Sequence, residues 1–158
     1  MSIFKPTQIA HSIYEIDGEA LQRAGIKGII LNWTNTLTTK NAGQLSESMK
    51  TWLKNLQSEY GMKVIIVSNS KPPKEEQGQI HEIPALFEAG KPKKKAFVAA
   101  MNILGTRTHE TAVIGNGIIT DIWGGNRLGM HTVFVSSSRV KPRLIGTLKR
   151  LFVKVLRV

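Results

Sequence analysis

The chain has 158 residues, 41% of them hydrophobic, no cysteine, and 22 lysines and arginines against 11 acidic residues, for a formal charge of +11. That length and apolar fraction suit one compact domain (1–158) around one core and leave no room for a second. The lack of cysteine excludes a disulfide framework, a thiolate metal site and a cysteine nucleophile, and it fits a reducing compartment, so the cytoplasm is the expected location. Met1–Pro6 carries no long apolar stretch and nowhere do about 18 apolar residues run together, so the chain is expected neither to be secreted by that route nor to span a membrane.

In chain order, Asp17 reads as the N-cap of a short helix that runs through Ala24 and stops at Gly25. Gly28–Leu31 is an apolar, β-branched run and predicts a buried strand that opens into the polar cluster Asn32-Trp33-Thr34-Asn35-Thr36. Leu45, Met49, Trp52, Leu53, Leu56 and Tyr60 are spaced for one face of a helix ending at Gly61. Too few residues separate Asn35 from Leu45 for a folded cap domain, which leaves the strand end open. Lys63–Val67 is a second strand, and Lys71-Pro72-Pro73-Lys74 after it continues neither helix nor strand, so a loop is expected where an α/β fold would place a helix. Ala96, Phe97, Ala100, Met101 and Leu104 predict another helix, capped by Gly105. Ala112–Ile114 and Thr132–Val135 are further strands. The alternation predicts an α/β domain with a central parallel sheet, helices on both faces and no substantial cap, with Asn32, Ser68 and Asn116 at one edge of the sheet, where open α/β folds build their sites.

Four segments, in order, carry a resemblance. Leu31-Asn32-Trp33-Thr34-Asn35-Thr36 resembles the DxDxT signature of the haloacid-dehalogenase (HAD) phosphatases, specifically the D-x-D-N-T form of the YqeG-like phosphatidylglycerophosphate phosphatases. Val64–Ser70 is similar to the second motif, a strand ending in a phosphate-binding serine, and Gly90-Lys91-Pro92 to the third, which supplies a lysine. Ala112–Asp121 is similar to the fourth, where the family usually has GDQ followed by TD, and Gly124–Met130 continues much as the family does. The resemblance implies a HAD-like Rossmannoid three-layer sandwich. It also implies a Mg²⁺-dependent phosphatase site.

The residues at those positions argue against turnover. In the family the first Asp attacks phosphorus to form an aspartyl phosphate while Mg²⁺ offsets the charge of carboxylate and phosphate; here Asn32 stands in its place, a poor nucleophile that offers a metal only a dipole. Thr34 replaces the second Asp, the acid/base, and a hydroxyl does that work badly near neutral pH. Asn116 replaces a metal-ligand Asp, leaving Asp121 as the remaining acid of the set, a weak basis for a Mg²⁺ site. The resemblance makes Ser68, Asn69 and Lys91 the donors for a phosphate. Plainer readings stand beside these. Ser68-Asn69-Ser70 also fits a polar turn, Lys93-Lys94-Lys95 a solvated helix start, and Asp121 the cap of a helix beginning near Ile122. Trp33 and Trp123 fit packing positions better than ligand platforms. Gly115-x-Gly117 lacks the third glycine and the downstream acid of a dinucleotide loop, and His11, His81, His109 and His131 match no metal spacing.

After Asp121 there is no acidic residue. Residues 139–158 repeat Leu144, Ile145, Leu148, Leu151, Phe152, Val155 and Leu156 at helical spacing, with Arg143, Lys149, Arg150, Lys154 and Arg157 falling largely elsewhere, which predicts a basic amphipathic helix. It reads either as a final helix packed on the domain or as a surface for anionic phospholipid or a protein partner. Nucleic acid is the less favoured partner, since no basic platform interleaved with aromatics is present. The sequence thus predicts a degenerate, catalytically inactive relative of the phosphatidylglycerophosphate phosphatases that binds a phosphorylated ligand, an anionic membrane surface at which it sits peripherally, or a protein partner. Its alternatives are an active phosphatase that uses Mg²⁺, a cofactor the inactive form does without, and a basic subunit of a larger assembly.

Overall fold

The computed structural model describes residues 2–33, 36–37, 45–74 and 79–136. The elements in chain order are β1 (Gln8–Ala10), a 3-10 turn (Ile13–Glu15), α1 (Gly18–Arg23), β2 (Gly28–Leu31), α2 (Glu47–Ser58), β3 (Lys63–Val67), β4 (Gln79–Ile80), β5 (Ile83–Leu86), α3 (Lys94–Leu104), a 3-10 turn (Thr108–Glu110), β6 (Thr111–Gly115), a π-helical turn (Ile118–Trp123) running into α4 (Gly124–Asn126), and β7 (His131–Val135). The strands form one sheet in the order β1-β7-β6-β2-β3-β5-β4, with every neighbouring pair parallel except β4 with β5.

Central strands of such a sheet are covered on both sides, so their apolar runs are unbroken and successive side chains enter different cores. Ile29 and Leu31 of β2, Val64 and Ile66 of β3, and Ala112 and Ile114 of β6 join Leu21 of α1 and Leu53 and Leu56 of α2 in one core. Ile30, Ile65, Val67 and Val113 face the other way and meet Ala96, Phe97, Ala100 and Leu104 of α3. α1 and α2 start where short polar side chains satisfy their first amides: Asp17 accepts from Glu19 N–H at 3.0 Å and Ser46 from Met49 N–H at 3.2 Å. α3 ends at Gly105, whose φ of 69° is the left-handed conformation that stops a helix without strain.

The structure departs from the sequence-based expectation at three strands and one residue. The edge strand β1 pairs in parallel with β7, Gln8 opposite Val133 and Ala10 opposite Val135. The loop through Lys71–Lys74 leads to a β4–β5 hairpin, turned by His81 and Glu82, both with positive φ (47° and 67°). Asp121 does not cap a helix near Ile122; it lies within the π-helical turn, buried. The short stretch 38–44, in which a cap was not expected, and the basic segment 139–158 lie outside the described residues. Among the described residues no helix is long and apolar enough to cross a membrane.

His131 opens β7 with its Nε2 buried and without a hydrogen-bond partner among the described residues. Burial disfavours the imidazolium and holds the pKa below the usual 6.5. Because the folded state resists a proton that the unfolded chain accepts, this stabilisation is complete above pH 6.5 and is lost as pH falls from there through the folded-state pKa. Chemical denaturation between pH 8 and 5 is expected to show stability declining below about pH 6.5, and His131→Gln should flatten that decline.

Candidate functional site

The carboxyl ends of β2, β3 and β6 converge at the point where the chain order reverses. From β2 the connection runs one way to β3, while β6 returns to its other side. Asn32 follows β2 directly, its backbone N–H bound to Ile114 O at 3.0 Å, and Asn116 follows β6. Ser68 follows β3 and is 1% exposed. Short connections at a switch point therefore bring three polar side chains of distant sequence to one edge.

A connected polar network fills this edge. Asn32 Nδ2 donates to Asn116 Oδ1 at 2.8 Å, and the Thr36 hydroxyl lies between them, 3.5 Å from the Asn32 amide and 3.4 Å from the Asn116 oxygen. Lys91 Nζ donates to Asn32 Oδ1 at 3.1 Å and to Asp121 Oδ1 at 2.6 Å. The lysine and aspartate side chains are 2% and 1% exposed, so this is a fully desolvated ion pair. Gly117 N–H supplies a donor to the second carboxylate oxygen, Oδ2, at 3.0 Å. Gly115 makes room for it, since a Cβ there would stand 2.2 Å from that same oxygen. The π-helical turn thus folds Asp121 back over the end of its own strand.

Asn69 and Lys91 are bound to each other through the backbone. The Asn69 amide donates to Lys91 O and its oxygen accepts from Lys91 N–H, both at 2.8 Å, which fixes the chain as it enters the cis Lys91–Pro92 peptide. The Asn69 side chain is therefore engaged in holding the lysine in place. Ser68 and Ser70 share a hydroxyl contact of 2.7 Å. The pieces named from sequence are brought together: Asn32, Asn116, Lys91 and Asp121 in direct contact, Ser68 and Asn69 beside them. Thr34, at the acid/base position, and Arg143, Lys149, Arg150, Lys154 and Arg157 lie outside the described residues. Reasoning from sequence assigned no role to Thr36, Ser70 or Gly117; Thr36 was findable as the last residue of the first motif, whereas a backbone donor such as Gly117 leaves no side-chain signature.

The two tryptophans pack. Trp33 is buried edge-on to Phe87, with ring centroids 6.4 Å apart. Trp123 stacks on Phe4 at 6.3 Å and carries the Arg127 guanidinium 4.5 Å from its ring. Lys93, Lys94 and Lys95 are exposed at the start of α3. No three His, Asp or Glu side chains converge among the described residues.

Comparison with known proteins places these features in a family. Residues 88–150 match the family model for HAD-hydrolase-like proteins. The chain is 32% identical over 163 aligned positions to the probable phosphatase YqeG of Bacillus subtilis, covering 93% of this chain and 92% of that protein. It is 28% identical to the chloroplastic phosphatidylglycerophosphate phosphatase 1 of Chlamydomonas reinhardtii over 85% of this chain, and spans 53% of that longer relative. An uncharacterized protein from Listeria monocytogenes shares the fold, with a TM-score of 0.52 and 21% identity over 84% of this chain and all of that one. The chain belongs to the haloacid-dehalogenase superfamily, within its YqeG-like phosphatase family.

Proposed function

We propose that this protein is a pseudophosphatase: a HAD phosphatase scaffold that recognises a phosphorylated, anionic ligand without turning it over. The observation that carries this reading is the 2.8 Å bond between the Asn32 and Asn116 side chains. At the two positions where the family resemblance expects carboxylates, two amides satisfy each other directly. Carboxylates so close would repel unless a cation sat between them, whereas one amide donates to the next with no ion. Among the described residues the carboxylate of this network is Asp121, which already has an ammonium on one oxygen and an amide N–H on the other. The donor set does not fit Mg²⁺, which is commonly held by one or two carboxylates together with phosphate and water.

The ligand class follows from the family and from charge. A glycerophosphate headgroup at an anionic bilayer is the first candidate, because the algal relative is named for phosphatidylglycerophosphate and the chain carries a formal charge of +11. Ser68 and Ser70 at the end of β3 supply hydroxyl donors toward such a group, and the basic residues of 139–158 supply the attraction to an anionic surface.

Mg²⁺-dependent phosphate release from phosphatidylglycerophosphate tests this directly. The unmodified chain is expected to be silent. The triple variant Asn32→Asp, Thr34→Asp, Asn116→Asp should gain activity, by about 10²–10⁴-fold over background for the acid/base contribution alone. Turnover by the unmodified chain would overturn the reading. Mg²⁺ should also raise the melting temperature of the triple variant and leave that of the unmodified chain in place, since only the former offers it a set of carboxylates.

The ion pair makes a separate prediction about stability. Lys91→Met should strand the buried Asp121 carboxylate and cost about 3–5 kcal/mol, which lowers the melting temperature by roughly 10 °C for a chain of this size. The double variant Lys91→Met, Asp121→Leu should recover most of that loss. Calorimetry of the single and double variants checks it.

A further inference from the structure

Charge is divided unevenly between the two sides of the sheet. Segments 2–14, 89–109 and 111–136 hold one acidic residue, Asp121, and it is buried in its ion pair. These segments supply the layer on the α3 side, which includes the π-helical turn and α4: Gly124 abuts Phe97 of α3, and Gly125 abuts Val113 of the same core. Glu15, Asp17, Glu19, Glu47 and Glu59 belong to the opposite layer, built by the Ile13–Glu15 turn, α1 and α2 over the other core. Glu88 lies on the far flank of the site, its N–H on Ser70 O. The α3 side of the molecule is therefore basic at its surface, with Lys5, Lys93, Lys94, Lys95 and Arg127 all exposed.

An apolar stripe runs through this basic layer. Trp123 stacks on Phe4, and Arg127 lies over the Trp123 ring and donates to Pro92 O, which joins the stripe to Lys93 at the start of α3. Asn126 clips the N-terminal segment in place, its amide donating to Ile3 O at 2.9 Å and to Lys5 O at 2.7 Å. Ile119 precedes Trp123 by four residues in the π-helical turn, a spacing that puts two side chains on one face. Ile119 is 51% exposed and Ile3 47%, so the fold holds both isoleucines out toward solvent. The stripe borders the site at two points, since Pro92 follows Lys91 and Ile118-Ile119 follow Asn116-Gly117. Isoleucines beside a tryptophan, ringed by long basic side chains, suit the boundary between headgroups and acyl chains, where apolar tips enter and ammonium and guanidinium groups reach the phosphates. Nucleic acid answers the charge and leaves the isoleucines in water; an anionic bilayer answers both. We propose that this face, Ile3, Ile119 and Trp123 with Lys5, Lys93 and Arg127, seats on an anionic bilayer and opens the site onto its headgroup layer. The proposal rests on the headgroup reading of the site and adds which side of the molecule meets the lipid.

The chain has no cysteine, so Ile119→Cys gives one attachment point for a polarity-sensitive fluorophore in the full chain. Thr51→Cys, exposed on α2 across the sheet, gives the comparison. The probe is vesicles of phosphatidylcholine with roughly a quarter phosphatidylglycerol, a lipid without a phosphomonoester, so binding does not call on the phosphate site. With them, emission from position 119 is expected to move to the blue and at least roughly double, while emission from position 51 stays as it was. Phosphatidylcholine alone, or raised salt, should remove the response. Lys5→Glu with Lys93→Glu, two exposed positions, should weaken binding at least roughly tenfold while the far-ultraviolet spectrum shows the fold intact. The readout is local: a chain held to the vesicle by residues 139–158 or by another surface would cosediment with no change at position 119, and that result overturns the proposal. So does an equal response at position 51, or a response at 119 to duplex DNA with none to vesicles. Phosphatidylglycerophosphate separates the two readings. If adding it to the vesicles brings no tighter binding while position 119 still responds, the headgroup reading of the site fails and the bilayer face stands; if its short-chain form binds in solution while 119 stays silent on vesicles, only the face fails.

Discussion

A lysine and an aspartate, both sealed from water, meet at 2.6 Å beneath the carboxyl edge of the sheet, and the arrangement of that edge follows from their pairing. Lys91 arrives from the loop after β5, Asp121 from the turn after β6, and the central strand β2 ends between them with Asn32 on the ammonium. Neither charge is tolerable there alone, because desolvation of a lone ion costs far more than a loop rearrangement. Each feature nearby keeps the pair in place: Asn69 grips the Lys91 backbone, Gly117 donates to the free carboxylate oxygen, and Gly115 leaves the space a side chain would fill. The net charge of this buried pair is zero.

Asn32 and Asn116 belong to the same network as that pair. Asn32 as aspartate would place a second carboxylate on the ammonium that Asp121 already holds. The amides of Asn32 and Asn116 meet directly, Asn32 Nδ2 donating to Asn116 Oδ1 at 2.8 Å. The frame that holds them is visible in the fold itself, where β2, β3 and β6 deliver their three polar ends to one edge.

Much of this was legible from the chain. The four central strands announce themselves because burial on both faces requires unbroken apolar runs, and α2 and α3 because one-sided burial imposes helical spacing. That Asn32 and Asn116, 84 residues apart, share one edge was readable from the alternation of strands and helices, whereas Lys91 and Asp121 joined them only through the family motifs. The strands that escaped are the short ones. β1 has three residues and one buried side chain, too little to show alternation. β5 contains Pro84, which disguises it, and its hairpin turns on His81 and Glu82 in place of the Asn-Gly pair that would mark a tight turn. Asp121 was open to reading as a cap because a π-helical turn has no sequence signal distinct from the start of an ordinary helix.

The pairing of β1 with β7 has a consequence for how the domain comes together. Ile9 and Phe134 are partners in the sheet, yet almost the whole domain lies between them in the sequence. A strand of three residues has too few contacts of its own to persist before its neighbour exists, and β7 in turn must first settle against β6. The β1 ladder therefore cannot close until the chain has been made as far as Val135, which gives this margin of the sheet the longest loop to close and its pairing the highest contact order.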